Sequence, residues 1–236
     1  MAGQPQLSIV VPAYNESERL SLTLAIVPYL EGRGTEFELI FSDDGSTDDT
    51  RALMDAAAAR DPRFRVVGTS QNRGKGRAIA EGVLASRGDL VLISDTDFST
   101  PITELPKLED AIRAGADVAI GSRAKRGSQV EVSQPFHRVL MGKTFNLIVQ
   151  AVILPGLWDT QCGFKLFRGD LAREIFAKMR TAGFAYDVEV IHRARRQGRL
   201  VAEIPVRWIN SEPTKVLAIR HSAHMFIDVF RIRFGR

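Results

Sequence analysis

The chain has 236 residues, 44% of them hydrophobic and 25% charged, and a formal net charge of +4. These values are ordinary for a globular protein with one α/β domain, with or without a small appendage, and they exclude a disordered or fibrous chain. The single cysteine, Cys162, excludes an intramolecular disulfide and fits a reducing compartment. The mildly positive net charge is compatible with an anionic partner.

Apolar strand-like runs alternate with helical patterns in the first half of the chain. Strands are predicted over residues 7–11, 37–41, 64–67, 90–93 and 118–120. Helices are predicted between them, over residues 16–30, 47–60, 75–85 and 105–114. Such repeated βα units predict a Rossmann-like, mostly parallel central sheet flanked by helices.

The pattern changes after residue 122. The polar stretch 123–134 predicts a loop, and the later elements are a helix over 138–154, a loop and strand over 159–167, a helix over 187–197, a strand over 200–206 and a helix over 216–234. The helices over 138–154 and 216–234 are amphipathic. One apolar stripe of the last helix comprises Ile219, Ala223, Phe226, Ile227, Phe230 and Phe234. These two helices either pack on the sheet or lie in a membrane interface.

Polar segments follow three of the predicted strands. They read PAYNE after the first strand, SDDGSTDDT after the second and SDTD after the fourth. In mostly parallel sheets, ligands bind outside the carboxyl ends of the strands. The three segments therefore predict a binding site at one edge of the sheet.

The carboxylates of these segments have two interpretations each. Asp95 and Asp97 either hold a hard divalent cation or belong to a solvated turn with an Asx cap. Asp43 and Asp44 either belong to a strand that leads through a turn into a helix cap, or place a carboxylate at the edge of the sheet. A carboxylate there can accept a hydrogen bond from a nucleotide base or a ribose hydroxyl.

The basic segment QNRGKGRAI is neither a phosphate-binding loop of the G-x-x-x-x-G-K type nor a G-x-G-x-x-G dinucleotide motif. Arg73 and Lys75 either meet a pyrophosphate near a helix start or form a solvated basic turn. The four histidines have no metal-ligand spacing, and Cys162 is interpreted as a small buried residue.

Taken together, the chain resembles the family-2 glycosyltransferases of the GT-A fold. The matching segments are SIVVPAYNE, SDDGSTDDT, NRGKGRAIAEG, SDTDFSTP, GSR and DTQCGFKLF, in the family's order. Within the family, the closest resemblance is to the polyprenyl-phosphate hexosyltransferases, the dolichyl-phosphate glucosyl- and mannosyltransferase group.

The resemblance implies roles for individual residues. The nucleotide-sugar pocket would be formed by Pro12, Ala13, Tyr14, Glu16, Asp44, Arg73, Lys75, Asp95 and Thr96, with Asp44 on the base. Asp95 and Asp97 would hold Mg²⁺ or Mn²⁺, although Ser99 stands where some relatives have a third ligand, Gln. Arg123 and Arg138 would face the acceptor phosphate, Gln161 would lie near the transferred sugar, and Lys215 would close over the diphosphate. Asp187 and Glu189 either support a sugar hydroxyl or cap a helix, and capping is favoured.

The activity implied is inverting, metal-dependent transfer of a hexose from a nucleotide-sugar to a polyprenyl phosphate. Glucose from UDP-glucose is favoured over mannose from GDP-mannose. The alternatives are a family-2 transferase with a soluble saccharide acceptor and a non-catalytic nucleotide-sugar-binding protein.

The expected organisation is a catalytic domain over residues 1–210 and an amphipathic, interfacial helix over 211–236. The catalytic domain would have a nucleotide-sugar half over 1–122 and an acceptor half over 123–210. No signal peptide and no run of about 18 apolar residues is found, so we expect a cytoplasmic protein on the inner face of the membrane. No nucleic-acid partner is expected, and the oligomeric state is left open.

Overall fold

The computed structural model describes residues 4–131, 136–209 and 218–235, with residues 136–138 and 218–224 described by their backbone alone. The strands are β1 Leu7–Ala13, β2 Phe37–Asp44, β3 Phe64–Thr69, β4 Leu90–Ile93, β5 Val118–Ser122, β6 Gln129–Glu131, β7 Lys165–Arg168, β8 Val201–Pro205 and β9 Arg207–Ile209. The helices are α1 Leu20–Leu24, α2 Val27–Gly32, α3 Thr50–Arg60, α4 Lys75–Ala85, α5 Leu105–Arg113, α6 Phe136–Val152, α7 Gly169–Ala177, α8 Tyr186–Arg196 and α9 Ala218–Phe234.

Seven strands form the central sheet, in the order β3-β2-β1-β4-β7-β5-β8. Strand β7 runs antiparallel to both of its neighbours, and every other pair in this sheet is parallel. Strands β6 and β9 form a separate parallel pair. The prediction of a mostly parallel sheet flanked by helices is confirmed.

Helices cover both faces of the sheet because its strands are apolar on both sides. Along β1, Leu7, Ile9 and Val11 belong to one buried cluster and Val10 belongs to the other. The first cluster includes residues of α1, α2, α3 and α5, and the second includes residues of α4, α6, α7, α8 and α9. Fully buried parallel strands of this kind read as continuous apolar runs, which is why the sequence revealed them.

Three local predictions were wrong. The helix predicted over residues 16–30 is interrupted between α1 and α2, where Pro28 occupies the first turn of α2 and cannot continue a preceding helix. The loop predicted over residues 123–134 contains β6, which pairs with β9. Helix α7 had not been predicted.

The apolar side chains of α9 divide between two environments, and those of Ile219 and Ala223 lie outside the described residues. Val229 is fully buried, and the Phe226 ring packs against Phe145 of α6 at a centroid distance of 5.5 Å. Ile227, Phe230 and Phe234 are instead exposed, by 50%, 47% and 68%. The helix therefore both packs on the domain and exposes apolar surface. The predicted domain boundary at residue 210 lies outside the described residues, and the domain division remains a prediction.

A buried carboxylate ties the first three strands to the turn before β4. Glu38 of β2 accepts hydrogen bonds from the Ser8 hydroxyl at 2.6 Å, from the Arg87 amide at 2.7 Å and guanidinium at 2.9 Å, and from Arg65 at 3.2 Å. Burial alone raises the pKa of Glu38, but these hydrogen bonds outweigh burial and hold the pKa below its ordinary value of 4.5.

We expect Glu38→Gln to lower the free energy of unfolding by about 1.5–3 kcal/mol at neutral pH, because charge-assisted hydrogen bonds are lost. The folded-state pKa is depressed, so this contribution is present above the unfolded pKa and is lost as pH falls through the folded pKa. In urea unfolding, the difference in free energy of unfolding between wild type and variant should shrink as the pH falls below about 4.5. The exposed Glu36→Gln is the matched control, and an equal gap at every pH would contradict the ionic origin.

Candidate active site

The polar segments meet at one edge of the sheet, as the sequence predicted. In the parallel pairing of β1 and β2, Ala13 lies opposite Asp43, and Val10 lies opposite Ile93, the last residue of β4. Because β7 is antiparallel, its first residue, Lys165, lies beside Ile93 and Ile120. The segment that precedes β7 therefore reaches the same edge as the carboxyl ends of β1, β2, β4 and β5.

Asn15 joins the first two polar segments. Its side-chain oxygen accepts hydrogen bonds from the backbone N–H groups of Thr47 at 2.8 Å and Asp48 at 3.3 Å. Its own N–H donates to the Ser46 hydroxyl at 3.0 Å, and its φ of 55° is one that asparagine adopts at low cost. The prediction named its neighbours Tyr14 and Glu16 and missed Asn15, although the turn-forming character of Asn was the available signal.

Asp44 is buried and binds the backbone before α4. Its carboxylate accepts hydrogen bonds from the amides of Arg73 at 2.7 Å and Gly74 at 2.9 Å. Burial raises its pKa, and the neighbouring charge of Asp43 acts in the same direction. The predicted contact of Asp44 with a base remains a prediction, and its observed role is to bring Arg73 and Lys75 to the edge.

Asp95 pairs with Lys75 at the carboxyl end of β4. The Lys75 Nζ lies 2.5 Å from the Asp95 Oδ1, and the two side chains remain 27% and 39% exposed. Burial raises the pKa of Asp95, but the charge and hydrogen bond of Lys75, together with the charges of Lys165 and Arg123, outweigh burial and hold the pKa below its ordinary value. Burial likewise lowers the pKa of Lys75, but the charge and hydrogen bond of Asp95, together with the charges of Asp187 and Asp97, raise it above its ordinary value. Two predicted site residues are thus brought into direct contact.

The residues after Asp95 form a tight turn. The Thr96 hydroxyl donates to the Pro12 carbonyl at 3.0 Å, and the Thr96 carbonyl accepts from the Thr23 hydroxyl at 2.7 Å. Asp97 accepts the Ser99 amide at 2.9 Å. The buried Phe98 has a φ of 46°, an unfavourable value for an aromatic residue. The turn is therefore held against β1 and α1 at a cost in backbone strain.

Arg123 is engaged by a partner that the sequence interpretation did not assign. Its Nε and Nη2 lie 2.7 Å and 2.9 Å from the two carboxylate oxygens of Asp159, which also accepts the Arg123 amide at 2.9 Å. The guanidinium lies 5.5 Å from the ring centroid of Trp208. The bidentate pair uses two of the five guanidinium donors, so Arg123 keeps donors for a further anion.

Gln161 lies between Asp159 and Cys162 at the same edge. Its Nε2 and the hydroxyl of the neighbouring Thr160 are buried and have no hydrogen-bond partner among the described residues. Cys162 is buried, as expected, and burial raises the pKa of its thiol. The side chain of Arg138 and the whole of Lys215 lie outside the described residues, so their predicted roles stay predictions.

A buried ion pair lies behind this edge. Lys165 is fully buried, and its Nζ lies 2.5 Å from the Asp187 Oδ1 and donates to the Cys162 carbonyl. Gly163, the residue after Cys162, has no room for a side chain, because a Cβ there would overlap the Asp95 carboxylate. Lys165 thus holds the peptide that backs Asp95.

The interpretation of Asp187 and Glu189 as helix caps was wrong. Ala185 is the N-cap of α8, without a side-chain cap bond. Asp187 pairs with Lys165, and Glu189 accepts hydrogen bonds from the amides of Arg180 at 3.0 Å and Thr181 at 2.7 Å, which precede the helix.

The donor atoms at the edge fit a hard divalent cation. Asp95 and Asp97 supply partly exposed carboxylate oxygens, and such ions are commonly bound by one or two carboxylates together with phosphate oxygens and water. Within the described ranges, no group of three or more His, Cys, Asp or Glu side chains could hold a metal alone. The arrangement therefore suits an ion that arrives with a phosphate-bearing ligand.

Comparisons with known proteins agree with the geometry. The family model described as Glycosyl transferase family 2 matches residues 8–176. The dolichyl-phosphate beta-glucosyltransferase of Dictyostelium discoideum is 34% identical over 241 residues, covering 97% of this chain and 74% of the relative. The human enzyme of the same name is 33% identical over 242 residues, covering 97% and 75%.

A solved structure with a similar fold is glucosyl-3-phosphoglycerate synthase from Mycobacterium tuberculosis in complex with Mn²⁺, UDP and glucosyl-3-phosphoglycerate. It matches with a TM-score of 0.71 and 19% identity, over 98% of this chain and 80% of that chain. The fold is therefore the predicted GT-A fold. The family match, together with identities of 34% and 33% to relatives of which the chain covers 74% and 75%, shows that this chain belongs to glycosyltransferase family 2 and is a glycosyltransferase.

Proposed function

We propose that this glycosyltransferase moves glucose from UDP-glucose to a polyprenyl phosphate, with inversion and with Mg²⁺ or Mn²⁺. The observation that carries the proposal is the contact of Lys75 with Asp95 at the edge where Asp97 and the Arg123–Asp159 pair also lie. This edge combines carboxylates for a cation with basic groups for phosphates. The choice of glucose and of a lipid phosphate rests on the names of the relatives.

The reaction requires stabilisation of a departing diphosphate. An oxygen of the acceptor phosphate attacks C1 of the sugar, and the bond from C1 to the diphosphate breaks as UDP leaves. Attack in line with the breaking bond inverts the anomeric carbon, so an α-linked donor gives a β-linked product. A bound divalent cation supplies positive charge for the diphosphate. Asp95 and Asp97 would hold that ion, and Lys75 would donate to the diphosphate beside it.

The acceptor needs positioning more than deprotonation, because its phosphate is already ionised near neutral pH. Arg123 suits this task, since its remaining donors can bind phosphate while Asp159 fixes the guanidinium plane. The buried Nε2 of Gln161 and hydroxyl of Thr160 would bind sugar hydroxyls. Pro12, Ala13, Tyr14, Glu16 and Asp44 would line the nucleotide pocket.

A lipid acceptor also requires contact with a membrane, and the protein would lie on its cytoplasmic face. None of the helices within the described ranges has the length and apolar character that a bilayer crossing demands. Ile227, Phe230 and Phe234 of α9 and Leu140 and Leu147 of α6 are exposed apolar side chains. We define these five residues as the apolar face, which would enter the interface of the bilayer.

A donor and acceptor panel tests the function. Purified protein with Mn²⁺ should transfer sugar from labelled UDP-glucose, in preference to GDP-mannose, only when polyprenyl phosphate is present. Transfer to a soluble saccharide without lipid would contradict the acceptor, and UDP binding without turnover on any acceptor would contradict the activity.

We expect Asp95→Asn and Asp97→Asn each to lower the metal-dependent transfer rate by about 10²–10³, because charge stabilisation of the leaving group is lost. Mn²⁺ binding in the presence of UDP, followed by electron paramagnetic resonance, should weaken in parallel. The exposed Asp110→Asn on α5 is the control and should behave as wild type. An unchanged rate and Mn²⁺ affinity in Asp97→Asn would refute its assignment.

We expect Lys165→Met to lower the free energy of unfolding by about 3–5 kcal/mol, because it leaves the Asp187 carboxylate buried without its partner. Lys165→Met/Asp187→Leu should recover most of this loss in urea unfolding, since no buried charge remains. The recovered double variant should still turn over slowly, with a reduced kcat, because the Cys162–Gly163 peptide behind Asp95 is no longer held. Full kcat in that variant would show that the pair serves stability alone.

We expect Phe230→Ser/Phe234→Ser to weaken binding to phosphatidylcholine vesicles about tenfold or more, because two apolar side chains no longer enter the bilayer. Leu53→Ser/Leu84→Ser is the matched control, since these leucines are similarly exposed elsewhere on the surface. These substitutions are preferable to removal of α9, whose Val229 is part of the core. Equal vesicle binding by both double variants would contradict the role of the apolar face.

A further inference from the structure

A pocket lies beside the second half of α8, whereas Asp187 of the candidate active site lies in the first turn of that helix. Its volume is about 560 Å³, and it forms where the ends of α6 and α9 meet the second half of α8. Arg196 lies nine residues after Asp187, which places it about 13–14 Å along the helix from the Lys165–Asp187 pair. The volume is within the range of about 300–1,000 Å³ that small-ligand pockets occupy.

The polar lining of this pocket is basic. It consists of Gln150, His192, Arg196 and Arg233, and none of the Asp and Glu side chains that the structure describes lines it. In the part of the chain that the structure describes, the side chains of His192 and Arg196 make no ion pair or hydrogen bond. The Arg196 guanidinium and the His192 ring therefore face the pocket with no partner among the described residues.

The ends of helices explain only part of this arrangement. The C-terminal carbonyls of α6 attract cationic donors, and the Arg233 Nε donates to the Val152 carbonyl at 3.2 Å. Arg195 likewise donates to the Pro155 carbonyl at 2.7 Å. The Arg233 bond uses one of five donors of that side chain, and neither bond involves Arg196 or His192.

The charged groups around the pocket are predominantly basic. Burial lowers the pKa of His192, and the charges of Arg196, Arg233 and Arg193 lower it further. Glu189 is the acidic group that opposes them, and it is already paired with Arg193 at 2.7 Å. The site therefore favours an anion over a cation or a neutral ligand.

We propose that this pocket binds a phosphate group, and that the phosphate belongs to an anionic lipid head group. Guanidinium groups bind phosphate through charge-assisted, bidentate hydrogen bonds. The preference for a lipid over free phosphate comes from position, because Arg233 is adjacent in sequence to Phe234 of the apolar face. This preference rests on the proposed membrane contact, whereas the phosphate site itself does not.

The phosphate site is tested by the histidine ring resonances of the full chain, with His192 identified by His192→Gln. Inorganic phosphate or glycerol 3-phosphate, titrated at constant ionic strength with chloride, should shift the His192 signal in a saturable manner. Arg196→Gln/Arg233→Gln should weaken this binding about tenfold or more. Arg60→Gln/Arg113→Gln removes two exposed arginines elsewhere and should leave it unchanged. Absence of a saturable shift in the wild type overturns the site.

The source of the phosphate is tested by vesicles of phosphatidylcholine alone and of phosphatidylcholine with phosphatidate. For Arg196→Gln/Arg233→Gln, the ratio of binding to phosphatidate-containing vesicles over phosphatidylcholine vesicles should fall roughly tenfold below that of Arg60→Gln/Arg113→Gln. The two variants should have equal thermal stability. Saturation by inorganic phosphate without that loss overturns the lipid assignment and leaves a site for free phosphate. No sugar donor enters either experiment, so failure here is distinguishable from failure of the proposed transferase activity.

Discussion

The contact between the Cys162–Gly163 peptide and the Asp95 carboxylate is the constraint on which the site depends. Only glycine fits at position 163, and the Cys162 carbonyl is held from behind by the buried Lys165. Lys165 is held in turn by Asp187. A buried ion pair usually costs about as much free energy in desolvation as its attraction returns. We therefore interpret the Lys165–Asp187 pair, which lies directly behind the site, as orienting Asp95 rather than as adding stability.

Strand β7 explains how this contact arises. A further parallel strand between β4 and β5 would have brought its carboxyl end to the site, and residues 159–164 would have lain at the opposite edge. Antiparallel pairing reverses this, so Asp159, Gln161 and Gly163 stand beside the carboxyl ends of β4 and β5. The second half of the chain thereby contributes residues to a site that the first half begins.

Local patterns predicted most of the fold and the place of the site, because buried strands are continuous apolar runs and polar residues follow their ends. The sequence did not predict features that depend on contacts between distant segments. The bond of Asn15 with residues 47 and 48, the Arg123–Asp159 pair and the Lys165–Asp187 pair each join segments separated along the chain. A charged residue has the same appearance in a sequence whether it is solvated or paired, so Asp187 was interpreted as a cap.

The pairing of Lys75 with Asp95 has a consequence for donor binding. Two unit charges 4 Å apart interact by about 4 kcal/mol at the effective dielectric near a protein surface, so an unscreened Asp95 would strongly oppose a diphosphate. One ammonium offsets one carboxylate and leaves the charge of the diphosphate itself uncompensated. In the proposed function, Asp95 and Asp97 would hold a divalent cation that supplies the missing positive charge, and Lys75 would then be available to donate to the phosphates. The metal and the lysine would therefore act together, and neither alone would balance the charge of the bound donor.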